Sequence, residues 1–87
     1  MTDKPLNETN VFITGGSGGI GSATAVKFAS MGMNVVIQYL HSLERANETA
    51  RTCLEYGVNV LTVHADLRSK EQILRMKEKV EQHGLAP

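Results

Sequence analysis

The sequence predicts an α/β chain of the order βαβαβα, with a parallel three-stranded sheet flanked by helices. Three observations carry that reading. Short runs of apolar and β-branched residues alternate with amphipathic stretches of helical length, the first run passes straight into a glycine cluster, and each amphipathic stretch closes on a glycine. Strands alternating with helices in this way are joined by right-handed crossovers and lie parallel, so helices cover the sheet and the strands read as continuous apolar runs.

The first strand is Val11-Phe12-Ile13-Thr14, apolar on successive positions. A helix follows from about Gly19 to Met31. Ile20, Ala23, Thr24, Phe28 and Met31 fall near one stripe, while Gly21, Ala25 and Ala29 form a small-residue row that permits close approach to a sheet. Gly32 ends this helix as a left-handed C′ residue. Val35-Val36-Ile37-Gln38-Tyr39 is the second strand, rich in β-branched and aromatic residues. Ser42 offers an N-cap for a helix from Leu43 to Tyr56, where Leu43, Ala46, Ala50, Cys53 and Leu54 keep helical spacing and Gly57 closes the segment. Val58 to Ala65 forms the third strand. Ser69-Lys70-Glu71-Gln72 reads as a capping box for a helix carrying Ile73, Leu74, Lys77 and Val80 and stopping at Gly84. The expected strand order, 3-2-1, leaves the first strand with an open edge, and a fourth strand or a second copy of the chain is expected to cover it.

Composition narrows the function. A chain of 87 residues makes one small domain, and 41% hydrophobic with 21% charged residues is ordinary for a globular protein. Nine basic residues balance nine acidic ones, which argues against a nucleic-acid or polybasic membrane-binding role. No apolar run reaches the roughly 18 residues that span a bilayer, and no signal-peptide core opens the chain. Cys53 is the single cysteine, so an internal disulfide and cysteine metal cages are excluded and a cytoplasmic location is expected. Asn7-Glu8-Thr9 matches a glycosylation acceptor, a match with physical meaning only in a secreted chain. His41, His64 and His83 have no i, i+4 partners that suggest a metal, and Cys53 reads as a core residue on its apolar stripe.

The chemistry is concentrated in Thr14-Gly15-Gly16-Ser17-Gly18-Gly19-Ile20-Gly21, between the first strand and the first helix. It lacks the Lys and following Ser or Thr of a triphosphate P-loop. What remains is a turn whose backbone can approach a pyrophosphate, aimed at the positive end of a helix. The glycines satisfy two registers: Gly16, Gly18 and Gly21 match G-x-G-x-x-G, while Gly15, Gly19 and Gly21 match T-G-x-x-x-G-x-G. In a βαβ unit this predicts a dinucleotide site, and residues 11–87 are expected to be the N-terminal dinucleotide-binding half of a Rossmann-like domain, truncated before a fourth strand. Residues 1–10 read as a polar lead-in.

About 20 residues beyond the motif, where an acidic side chain would bond the ribose hydroxyls of NAD, stands Tyr39. Without a carboxylate to repel a 2′-phosphate, and with Tyr39, His41 and Ser42 able to bond one, the sequence favours NADP over NAD. His41 and Ser42 also suit helix entry and capping. Asp66, followed by Leu67, lies at the carboxyl end of the third strand, either to recognise the adenine amino group or to support the turn before Ser69.

These residues resemble the short-chain dehydrogenase/reductases from Val11 onward. The family motif T-G-x-x-x-G-x-G stands as Thr14, Gly15, Gly19 and Gly21, with Ile20 in its apolar place, and the Asp-apolar pair after the third strand stands as Asp66-Leu67. The resemblance implies the adenine role for Asp66. The second strand is similar to that of the 3-oxoacyl-acyl-carrier-protein reductases, mostly NADPH enzymes, many of which carry a basic residue where this chain has Gly18. It implies an NADP(H)-binding portion of an oxidoreductase that transfers hydride to a 3-oxoacyl or similar small carbonyl substrate, and a homo-oligomer. The family's catalytic Ser and Tyr-x-x-x-Lys are expected beyond Pro87, since neither Tyr39 nor Tyr56 has a Lys four residues on; the chain alone is then inactive, with no catalytic residue of its own. The competing readings are a non-catalytic nucleotide-binding module that completes its sheet by self-association, and a methyltransferase-like fold with a similar glycine turn.

Overall fold

The structure, a computed structural model, describes residues 8–87. Six elements follow one another: β1 (Asn10–Ile13), α1 (Gly19–Ser30), β2 (Asn34–Tyr39), α2 (Leu43–Leu54), β3 (Val60–His64) and α3 (Lys70–Gln82). The expected lead-in over residues 1–10 falls mostly outside the described residues, as does Asn7, and Asn10 already belongs to β1.

The strands form one parallel sheet in the order β1-β2-β3, with Val11 opposite Val35, Ile13 opposite Ile37 and Tyr39 opposite His64. The central strand β2 is buried from Asn34 to Gln38, as a strand covered on both faces must be. Alternation along the strands sorts the core into two layers. Ile13, Val35 and Ile37 pack with Ala25 and Ala29 of α1 and Ala46 and Cys53 of α2, whereas Val36 and Val63 pack with Val80 and Leu85 beside α3. Two successive crossovers of one hand put α1 and α2 on the same face, and α3 takes the other. The row Ala25 and Ala29 is fully buried, which brings α1 onto the sheet without intervening side chains.

The amino end of the sheet is stitched by amides. Asn34 Nδ2 donates to Asn10 Oδ1 at 3.0 Å, and Asn59 N donates to Asn34 Oδ1 at 2.9 Å. Among the described residues, no fully buried side-chain nitrogen or oxygen lacks a hydrogen-bond partner. Gly32, Gly57 and Gly84 each follow a helix with positive φ, as the helix-stop reading requires. His83 caps α3, its Nδ1 lying 2.8 Å from Lys79 O.

Four details differ from the sequence reading. Helix α2 stops at Leu54, two residues short of Tyr56, and β3 starts at Val60 because Val58 turns into the core before pairing begins. The stripe on α1 is buried only in part: Phe28 packs against the core, but Ile20 is 87% exposed and Met31 is exposed, because the small-residue row takes the closest sheet contact. Leu43, Leu54 and Leu74 are likewise exposed at the margins of their helices. The capping box at α3 is half made. Ser69 Oγ accepts from Gln72 N, but the Gln72 side chain turns outward to accept from Asp66 N at 2.8 Å.

The close seat of α1 gives a stability test. Ala29→Leu forces extra methylenes into a fully packed layer and is expected to lower unfolding free energy by about 1–3 kcal/mol, read from the midpoint of a urea titration.

Candidate dinucleotide-binding site

Three loops meet at the carboxyl edge of the sheet, and one side chain ties two of them to β2. Gln38 near the end of β2 is buried, at 4% exposure. Its Oε1 accepts from Gly15 N at 2.8 Å and its Nε2 donates to Ala65 O at 2.7 Å, while its own backbone carbonyl accepts from Gly16 N at 3.0 Å. The glycine turn and the loop after β3 are therefore both registered against β2. The sequence reading counted Gln38 only as a strand residue. Its signal was there, an amide in an otherwise apolar central strand, which has to find partners once buried.

Within the turn the glycines do different work. Gly15 takes φ +66, in the left-handed region. Gly21 is a close-approach position, because a Cβ there would stand 2.3 Å from Gly15 O. At Gly16 a Cβ would meet the Ile37 side chain. Gly19 differs from these, since a Cβ would meet nothing within 4 Å and would project into open space.

That open space lies over the start of α1. The N-cap Gly18 offers no side-chain acceptor and the first turn holds no acidic residue. The first backbone bond into the helix is Ser22 N to Gly18 O, so among the described residues the N–H groups of Gly19, Ile20 and Gly21 have no acceptor. The other two helices are finished differently. Ser42 Oγ accepts from Arg45 N and Ser69 Oγ from Gln72 N, with Glu44 and Glu71 in the respective first turns. Among the helices of the described residues only α1 has an uncapped positive end, which suits an anion. A crevice of about 630 Å³ runs beside it, lined by Phe12, Thr14, Gly15, Gly19, Ile20 and Thr24.

The remaining candidates share this edge. Tyr39 stacks edge-on with His64, ring centres 5.5 Å apart. His41 is exposed, and its charge reaches Asp66. Ser42 is occupied through its Oγ as the cap of α2. Ser17 is half-buried in the turn and Leu67 is exposed beside Asp66. Asp66 accepts from Arg68 through both carboxylate oxygens, Oδ1 from the Arg68 backbone N at 2.9 Å and Nε at 3.1 Å, Oδ2 from a terminal nitrogen at 3.0 Å. The Arg68 side-chain bonds, then its backbone bond, hold the carboxyl well below the usual carboxylate range, at about 2. Burial pushes the pKa of the Cys53 thiol above its ordinary value. No group of three metal-ligating side chains occurs among the described residues, and no helix there is long and apolar enough to cross a membrane.

A sequence model of the family described as short chain dehydrogenase matches residues 9–85. The chain belongs to that family. It is 39% identical over 70 residues to an L-rhamnose 1-dehydrogenase (NADP(+)) of Thermoplasma acidophilum, covering 80% of this chain and 28% of that protein. A short chain dehydrogenase of Burkholderia cenocepacia, solved in complex with NADP, superposes with a TM-score of 0.84 at 28% identity, over 93% of this chain and 33% of that one. An NAD+-bound xylitol dehydrogenase gives a TM-score of 0.85 at 25% identity, over 93% and 31%. This member of the short-chain dehydrogenases spans 27–29% of the relatives it matches at about this length, such as versicolorin reductase 1 of Dothistroma septosporum at 27% and an Escherichia coli oxidoreductase at 29%.

Two measurements check the geometry. Gln38→Leu strands Gly15 N–H and Ala65 C=O and is expected to cost about 2–5 kcal/mol of stability by urea unfolding. In Arg68→Ala the Asp66 carboxyl, titrated by NMR, should move from about 2 toward about 4. Because its folded value is depressed, Asp66 contributes stability above its unfolded value and loses it as pH falls toward 2; the stability gap between the parent and Arg68→Ala should therefore close in acid.

Proposed function

We propose that this chain is the NADP(H)-binding N-terminal portion of an oxidoreductase that reduces a 3-oxoacyl or similar small carbonyl substrate by hydride transfer. The observation that carries the reading is the uncapped start of α1, where the N–H groups of Gly19, Ile20 and Gly21 have no acceptor among the described residues and border a crevice. In this reading the turn from Gly15 to Gly21 holds the pyrophosphate by backbone N–H groups, Tyr39, His41 and Ser42 border the adenosine ribose, and Asp66 and Leu67 border the adenine. When bound, the nicotinamide group supplies the hydride. Gln38 keeps the phosphate turn formed before the ligand arrives, so no ordering of that loop opposes binding.

NADP is preferred to NAD because β2 ends in Tyr39 rather than a carboxylate, and one relative is named for NADP(+) while one solved neighbour carries NADP. A solved neighbour also carries NAD+, which makes the relative affinity a quantity to measure. The acid and substrate-orienting groups of the reaction are assigned outside these 87 residues, since Tyr39 and Tyr56 lack a Lys four positions on. With α3 on the face opposite α1 and α2, a right-handed crossover would carry a following parallel strand to the free edge of β1. The buried free thiol of Cys53 suits a reducing, cytoplasmic setting.

The same free edge favours a second reading, a nucleotide-binding module without catalysis that completes its sheet with another copy. Light scattering separates the two, since only the second needs a stable homo-oligomer of the 87-residue chain.

The test of the phosphate cradle is Gly19→Val. The added side chain meets no protein atom at its Cβ, so the variant should fold normally yet bind NADP at least about tenfold more weakly by calorimetry. Unchanged affinity in the folded variant would remove the cradle from the reading.

A further inference from the structure

Two glutamine side chains join the loop after β3 to separate parts of the fold. Backbone bonding of this segment to β2 ends where Ala65 N donates to Tyr39 O at 3.1 Å, so the peptide group between Ala65 and Asp66 is the first beyond the sheet. Both of its polar atoms are taken by side-chain amides. Its carbonyl accepts from Gln38 Nε2 at 2.7 Å, and its N–H donates to Gln72 Oε1 at 2.8 Å. Gln38 Oε1 in turn accepts from Gly15 N at 2.8 Å. We propose that Gln72 is a positioning residue for the dinucleotide, acting through a relay of three hydrogen bonds that ties the glycine turn, by way of Gln38 and the Ala65–Asp66 peptide, to the first turn of α3. The inference rests on the dinucleotide reading above and adds a residue that acts on the site only through others.

The relay has one direction. Gly15 N–H donates to the Gln38 amide, the Gln38 amide to the Ala65 carbonyl, and the N–H of that same peptide to Gln72. Amides aligned in this way polarise one another, and burial strengthens each bond. Gln38 and Ala65 are buried and Gln72 is half-buried, so water competes little along the chain. Asp66 also pairs with Arg68, but that pair lies within the loop and fixes the carboxylate only relative to it. The two glutamines fix the loop to β2 and to α3. By this route α3, on the face opposite α1 and α2, acts on the edge where the phosphate turn and the Asp66 loop face a common ligand. Holding both loops before the ligand arrives removes an ordering cost from binding.

The orientation of Gln72 supports the assignment. A glutamine serving only its helix would return to the N-cap residue as the second half of a capping box. Gln72 keeps only the backbone half, its N–H donating to Ser69 Oγ at 3.3 Å, and spends its side chain on Asp66 N. The relay asks only for an acceptor at this place. Glutamate keeps that acceptor, whereas methionine removes it while preserving side-chain length and helix preference.

The test titrates NADP by calorimetry into the chain, Gln72→Met and Gln72→Glu, with circular dichroism confirming each fold and hydrogen exchange of the Gly15 amide followed by NMR. Gln72→Met should bind NADP about fivefold more weakly, as expected for loss of one hydrogen bond that orders the site. Its Gly15 amide, at the far end of the relay, should exchange about two- to threefold faster. Gln72→Glu should bring both quantities back to within about twofold of the parent. A purely local role would disturb the Asp66 amide and leave Gly15 unchanged. That result, an unchanged NADP affinity in folded Gln72→Met, or a Gln72→Glu variant as weak as Gln72→Met would overturn the proposal alone. Failure of the parent chain to bind NADP would overturn the dinucleotide reading and this inference with it.

Discussion

The carboxamide of Gln38 is the constraint around which the carboxyl edge is built. A side-chain amide has both donor and acceptor needs, and burial at 4% exposure removes water as a partner. Both are met by backbone, Gly15 N on one side and Ala65 O on the other. An apolar residue at this place in β2 would satisfy the strand just as well and leave the two loops without a common reference. Because Gly15 is held, its left-handed backbone is held, Gly18 N can reach back to Gly15 O at 3.0 Å, and α1 starts close against the turn. The direction in which α1 presents its positive end is set through this chain of contacts.

The opposite edge of the sheet uses the same device for a different end. The side-chain amides of Asn10 and Asn34 link the starts of β1 and β2, and Asn34 Oδ1 also accepts from the backbone N–H of Asn59 just before β3. The sheet is thus cross-tied by polar groups at both ends of β2, with the aliphatic contacts of Val35, Val36 and Ile37 between them. Dispersion and apolar burial provide the bulk of the cohesion, and the amides provide register, which apolar contacts specify poorly. Register is what a site spread over three loops needs.

Electrostatics repeats the theme of local rather than global asymmetry. The chain has no net charge, yet its helix ends are not equivalent. Serine caps and first-turn glutamates neutralise α2 and α3, while α1 has neither. Arg45 adds a positive group beside the turn, and Asp66 is paired with Arg68 in the loop after β3.

The alternation of apolar runs with amphipathic stretches, the glycine stops and the order of the elements were all legible in the sequence, because they depend on local periodicity and on backbone geometry that few residues tolerate. So was the glycine turn between β1 and α1, since the left-handed Gly15 and the close approach at Gly21 answer to sterics within eight residues. What the local pattern could not express was which face each residue would meet. Ile20 and Met31 belong to an apolar stripe by periodicity, yet the small row of Ala25 and Ala29 wins the sheet because it allows closer packing. Gln72 belongs to a capping box by spacing, yet Asp66 N is a competing donor that only the folded loop supplies. The clamp of Gln38 belongs to the same class. It joins segments far apart in sequence, and the energy that selects it exists only after the three parallel strands have brought those segments to one edge.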